Sequence, residues 1–186
     1  MLLVILCFGC DCSKQEQAPD SAPIWSRNMV WYQIFPERFR NGDPSNDPGP
    51  EDMRRTYPEV MPENWAITPW NSDWYEEDPW MKDLDMSFND KLQLRRYGGD
   101  LQGVLDKIEY LDGLGITGIY FNPLNDAPSL HKYDPRHWRH IDRNFGPDPK
   151  GDLELIDLEQ PVDPSTWQWT SADSLFLEVV KALHAR

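Results

Sequence analysis

The run from Arg95 to Asp134, RRYGGDLQGVLDKIEYLDGLGITGIYFNPLNDAPSLHKYD, constrains this chain more than any other stretch. Leu101, Val104, Leu105, Ile108 and Leu111 recur at the i, i+3, i+4 spacing that gathers apolar groups on one helical face, and Asp100 stands where an N-cap belongs. Gly113 and Gly115 supply the backbone freedom to stop that helix and reverse the chain. The segment that follows, Ile116 to Phe121, is short, β-branched and aromatic, and it lacks strict alternation. Such a run predicts a strand covered on both faces, as in a parallel sheet. A helix feeding a strand of this kind is one unit of an α/β fold, and parallel α/β folds place their sites at the carboxyl ends of strands. The loop after Phe121 is therefore the first place to look for function.

A length of 186 residues with 39% apolar and 12% aromatic side chains predicts one globular unit with a sizeable core. The formal net charge of −14 disfavours nucleic acid, whose phosphates need Lys and Arg to displace counterions, and leaves neutral or cationic partners. Nine Trp and seventeen Pro fall mostly outside the regular elements. An indole in a loop has to pack or stack on something, so these rings either line a sugar groove or floor the long loops above the core. The cysteines, Cys7, Cys10 and Cys12, all precede the body of the chain, so disulfides contribute nothing to its fold.

The first strand is predicted over Met29–Phe35, with Pro36 ending it. The loop ERFRNGDPSNDPGP comes next, where Asn41, Asp43, Asn46 and Asp47 offer oxygen-bearing side chains around the bends at Gly42 and Pro44. A hard cation such as calcium takes about six to eight oxygens near 2.3–2.6 Å, which a rigid turn of this kind can supply. The same residue types also make an ordinary surface turn. Pro48 to Lys91 reads as a long loop carrying Trp65, Trp70, Trp74 and Trp80, and loops of such length are functional or inserted. After Phe121, His131, Tyr133 and Asp134 sit together where they can face a ligand: His to hydrogen-bond a hydroxyl, Tyr to stack on a sugar ring. His137 and His140 invite zinc, but no cysteine or well-spaced carboxylate completes a site. A closing amphipathic helix is predicted from Leu175, Phe176, Val179, Val180 and Leu183, with Thr170, Ser171 and Asp173 as possible caps.

Taken together, WYQIFPERFRNGDPSND, YGGDLQGVLDKIEYLDGLGITGIYFNP and SLHKYDPRHWRHIDRNFG resemble glycoside hydrolase family 13, the α-amylase family, and within it the neopullulanase and cyclomaltodextrinase group. The resemblance covers roughly Met29 to Arg186. It implies an α/β fold, the amino-terminal part of a (β/α)8 TIM barrel, with about the first two βα units and the barrel incomplete in this chain. It places a Ca2+ site on Asn41, Asp43, Asn46, Asp47, the Gly98 carbonyl and Asp100, with the glycine pair letting the backbone approach the ion. His131 and Tyr133 fall on the substrate-binding pair that holds a glucose ring at the point of cleavage.

The parent enzyme implied is a retaining hydrolase of α-1,4 or α-1,6 bonds in starch-derived glucans or cyclodextrins. The acids that do that chemistry come from later strands, so no catalytic residue is assigned here, and the resemblance implies a fragment without hydrolytic activity whose open two-stranded sheet is poorly stable alone. A cell-surface glucan-binding protein on the same scaffold and a transglycosylase or isomerase are the alternatives.

At the amino terminus, Leu2–Phe8 is too short to span a bilayer and reads as a signal-peptide core, with Gly9 before Cys10 resembling a bacterial lipoprotein signal. Residues 1–12 are assigned to that segment, 13–24 to a flexible tether and 25–186 to the folded body. Export to the bacterial cell envelope, with membrane attachment through a lipidated Cys10, or secretion, follows. Lipidation at Cys10 predicts a mass increment on the mature protein that Cys10→Ala removes; intact-mass spectrometry showing an unmodified amino terminus would sink it.

Overall fold

The computed structural model describes residues 23–186. The signal-like segment with Cys7, Cys10 and Cys12, and nearly all of the tether, lie outside the described residues. The last tether position, Ile24, already opens a 3-10 turn, Ile24–Ser26.

Among the described residues two strands form the sheet. β1 (Trp31–Ile34) and β2 (Gly118–Phe121) pair in parallel, from Trp31 opposite Gly118 to Ile34 opposite Phe121. Parallel pairing requires a crossover, and the chain between the strands supplies it with α1 (Pro36–Phe39), α2 (Phe88–Leu92), α3 (Leu101–Leu105) and α4 (Ile108–Gly113). Pro36 does more than end a strand: at the first helical position its fixed φ opens α1.

Two sequence expectations need correction here. The helix predicted from Asp100 to Gly113 is two helices, because Lys107 leaves helical geometry (φ −110°, ψ 8°) after its N–H closes a tight turn on the Val104 carbonyl at 3.0 Å. The apolar stripe runs through both pieces, so Leu101, Val104, Ile108 and Leu111 are all buried despite the break. The sheet, in turn, is covered on one face only among the described residues. Tyr32, Ile34, Ile119 and Phe121 face the core, whereas Trp31, Gln33 and Tyr120 are exposed on the other side. Helices pack against one side of these two strands, and the unalternating run reflected residues suited to burial rather than burial achieved.

The main core gathers Ile34, Leu101, Val104, Leu111, Phe145 and Val179. It is closed by α6 (Ser171–His184), which packs on α3. Thr170 caps α6 by accepting from Asp173 N at 3.0 Å while Asp173 reaches back to Thr170 N, a capping box with Asp in the place of Glu. In the chain between β2 and α6 lies α5 (Pro149–Ile156), which the periodicity does not announce although Asp148 and Pro149 form a standard cap and first position. The long stretch from Pro48 to Lys91 is not structureless. It carries 3-10 turns at Pro50–Met53 and Pro79–Met81 and builds a second small core of Trp80, Met81 and Leu94 with Trp65 against it.

One buried clasp joins α6 to the loop after β2. His140 lies between Glu159 (Nε2 to Oε1, 2.9 Å) and Asp173 (Nδ1 to Oδ2, 2.8 Å), which rules it into an ion pair rather than the zinc reading. Burial alone would lower the His140 pKa, but the two carboxylates outweigh it and raise it. Burial would raise Glu159, yet hydrogen bonds from Gln168 N, Arg139 and His140 hold it at about 2.

Leu101→Ala should cost roughly 2–5 kcal/mol in urea unfolding, against less than about 0.5 kcal/mol for the exposed Leu177→Ala. The clasp has its own pH signature. The Glu159 contribution is present above its ordinary value of 4.5 and lost as pH falls toward about 2, and the His140 contribution is present below 6.5 and lost as pH rises through its raised pKa. The stability gap between wild type and His140→Gln, followed by urea unfolding against pH, should therefore peak between 4.5 and 6.5 at roughly 3 kcal/mol.

Candidate functional site

The loop leaving α1 folds back onto the start of α3 through one carboxylate. Asp100 is fully buried; its Oδ1 accepts from Gly103 N at 2.5 Å as the α3 cap, and its Oδ2 accepts from Gly42 N (3.0 Å) and Asp43 N (2.8 Å). Asp43 in turn caps the 3-10 turn Pro44–Asn46, accepting from Ser45 N and Oγ at 3.0 and 2.6 Å. Asn41 Nδ2 donates to Asp47 Oδ1 at 2.6 Å. Gly98 takes φ +70°, and a Cβ there would overlap Asp47 Oδ1 and crowd Asn41 Nδ2, so only glycine fits.

The structure thus brings together all six residues of the expected cation set. Asn41 Oδ1 and both polar atoms of Asn46 are buried without a hydrogen-bond partner, although the Asn46 amide faces Asp100. Buried amide oxygens left unpaired are costly. Burial pushes the Asp47 carboxyl up, with Asp100 and Asp43 adding to the rise against the Asn41 hydrogen bond. Burial likewise pushes Asp100 up against three backbone N–H donors. Oxygens of this number and hardness fit a calcium-like ion. Among the described residues no three His, Cys, Asp or Glu side chains form a metal group by themselves; this set depends on amide and backbone oxygens.

The second cluster sits beyond β2, at the carboxyl end of the parallel pair. Gln33 Nε2 reaches across to Asn122 Oδ1 at 2.6 Å where the loop departs. The loop is anchored by Lys132, whose backbone takes φ +57° and whose Nζ turns inward to Asp142 Oδ2 (2.7 Å) and the Ala127 carbonyl (3.2 Å), over the Phe145 ring. Burial would raise Asp142, but Lys132 holds it low and charged.

With Lys132 pointing in, its neighbours bracket the outer surface. His131 stacks on Phe35, ring centroids 5.4 Å apart, and Tyr133 is 71% exposed. Burial, then the nearby Arg38 and Arg96, lower the His131 pKa, so its imidazole is neutral near pH 7 and offers one donor and one acceptor. Ser129 Oγ donates to Asp134, which therefore shapes the loop.

Several residues that build the site carry no sequence signal. Glu37 is buried between the two clusters, accepting from Tyr97 N and Gly98 N, and burial pushes it up to about 7 against Arg96. Asp126 joins Arg143 (2.7 Å) and Arg136 (2.8 Å), and Arg143 continues to Asp52 at 2.6 Å. These long-range pairs have no periodicity, so only the unusual density of Asp and Arg around the loop could have flagged them.

Residues 33–157 match the family described as "Alpha amylase, catalytic domain". The chain is 42% identical over 125 residues to a cyclomaltodextrinase of Geobacillus thermopakistaniensis, which is 67% of this chain and 16% of that protein. It is 40% identical over 126 residues to neopullulanase 2 of Thermoactinomyces vulgaris, 68% of this chain and again 16% of the relative. A solved structure, the ligand-free cyclic α-maltosyl-(1→6)-maltose hydrolase of Arthrobacter globiformis, is 28% identical with a TM-score of 0.46 over 74% of this chain and 24% of that one. The matched stretch spans about a sixth of the length of these curated relatives. With well over half of its residues inside that family match, the chain belongs to the α-amylase family, glycoside hydrolase family 13.

Proposed function

We propose that this chain belongs to an exported, calcium-binding α-glucan hydrolase and contributes one wall of its glucose subsite. The observation that carries the reading is the pair His131 and Tyr133, held outward on either side of the buried Lys132 at the carboxyl end of β2, in a chain of this family. A pyranose has an apolar C–H face that suits the open Tyr133 ring and equatorial hydroxyls that suit a neutral imidazole. The relatives' names, cyclomaltodextrinase and neopullulanase, support α-glucans as the substrate class, and the reading adds α-1,4 or α-1,6 linkages cleaved with retention. The residues named here bind and orient; none is assigned to bond cleavage.

The side chains of Asn41, Asp43, Asn46, Asp47 and Asp100 and the Gly98 carbonyl would hold the calcium ion. Its chemistry there is that of a clamp, satisfying buried oxygens and neutralising Asp47 and Asp100 where the chain leaving α1 meets the start of α3. The apolar run before Cys10 supports export.

Calcium at about a hundredfold over its Kd should add roughly 2–3 kcal/mol to unfolding stability, read as a raised Tm, and Asp43→Ala with Asp47→Ala should abolish the gain. A melting curve indifferent to calcium and to chelator counts against the site. Tyr133→Ala should weaken maltose binding about tenfold by calorimetric titration, and a wild-type chain that binds no maltooligosaccharide overturns the glucan reading.

A further inference from the structure

Arg95 is only 1% exposed, and its guanidinium serves the exposed segment that precedes it. Nε pairs with the buried Asp78 at 2.7 Å, Nη1 donates to the Trp74 carbonyl at 3.0 Å and Nη2 donates to the Glu76 carbonyl. Thr68 Oγ1 donates to the same Asp78 oxygen at 3.0 Å. Removing a guanidinium from water is costly unless its donors are met, and here two of them are met by backbone on either side of Tyr75. The exposed segment is thus tied to a buried guanidinium at two points of its backbone.

What it presents is aromatic. Tyr75 is 83% exposed, Trp70 67% and Trp74 40%. Two of the rings are oriented by contacts of their own, Trp70 through Nε1, which donates to the Arg38 carbonyl at 2.8 Å, and Trp74 by lying parallel to Tyr97 at 4°; the backbone N of Tyr75 donates to Asp73 Oδ1 at 2.7 Å and fixes the turn that carries the third. Trp65 and Trp80, in the same stretch, show what an indole does here when its role is packing: they fill the second core. Trp70, Trp74 and Tyr75 stay outside it.

Trp74 is linked to His131 through Arg38 and Phe35, and Trp70 reaches the same Arg38 through its carbonyl. The Arg38 guanidinium lies 4.5 Å over Trp74 and 5.0 Å over Phe35, and the other neighbour of Phe35 is His131 at 5.4 Å. Four planar groups therefore run in sequence from the loop after β2 to the 70–75 segment. The exposed Asp73 and Glu76 border that segment with hydroxyl acceptors, and their charge opposes anionic ligands.

We propose that Trp70, Trp74 and Tyr75 form an outlying glucose subsite that takes a further ring of the same α-glucan chain held by His131 and Tyr133. It rests on the glucan reading above and adds a preference for long chains over short ones.

Calorimetric titration of the full chain with maltose and maltohexaose tests it. Trp74→Ala and Tyr75→Ala should each weaken maltohexaose binding about tenfold and leave maltose binding unchanged, whereas Tyr133→Ala should weaken both. Trp74→Phe should keep most of the maltohexaose affinity, because a ring remains to stack. Tyr75 is the variant that disturbs no buried side chain, and far-UV circular dichroism checks that each protein is folded. If wild type binds both sugars and the Trp74 and Tyr75 variants match it, or lose both sugars equally, the outlying subsite is wrong and the His131–Tyr133 wall stands. If wild type binds neither sugar, both ideas fall.

Discussion

The carboxylate of Asp100 is the interaction on which the rest of this structure turns. It caps α3 and, through Gly42 N and Asp43 N, fixes the segment that leaves α1 against the start of the helix. That segment comes so close that a Cβ on Gly103 would overlap the Arg40 carbonyl, so the contact is backbone to backbone. Without it α3 would lose its cap and its packing partner together, and α3 is the helix that meets α6 and whose Leu101 and Val104 share the core with Ile34 of β1.

From that anchor, order passes outward by buried polar contacts as much as by apolar ones. Glu37 receives N–H groups from Tyr97 and Gly98, which ties α1 to the glycine pair that precedes Asp100. Lys132 and Asp142 tie the loop after β2 to the floor formed by Phe145. The described residues hold one small sheet and several helices of a single turn, so their apolar cores are small. Buried ion pairs add geometric specification where the core is thin, and each becomes a point at which loss of one partner leaves a costly charge behind.

Legibility in the sequence followed the range of the signal. Apolar spacing located α3, α4, α6 and β2, and cap chemistry located Asp100 and Thr170, because those signals are complete within a few residues. α5 is equally marked at its start, by Asp148 and Pro149, but its apolar stripe is weak. The Asn41–Asp47 turn and the His131–Tyr133 loop were visible as residue types, and the resemblance joined the turn to Gly98 and Asp100, more than fifty positions away. What no local pattern carried was partner choice over distance: Arg95 with the 74–76 backbone, Arg143 with Asp52, His140 with Asp173. The same limit explains the tryptophans, since burial of Trp80 and exposure of Trp70 depend on what folds over them.

Lys132 combines two properties that are separable. Its φ of +57° sets the turn of the loop, and its ammonium sets where the loop is fastened. Glycine at this position would relieve the left-handed strain and preserve the turn while cutting the fastening; arginine would keep a charge but not the fit between Asp142 and the Phe145 ring. The curvature of the proposed glucose wall and its distance from the protein body are thus under independent control of one residue, so a wall of unchanged shape could be moved nearer to or farther from the core by altering the length of a single buried side chain.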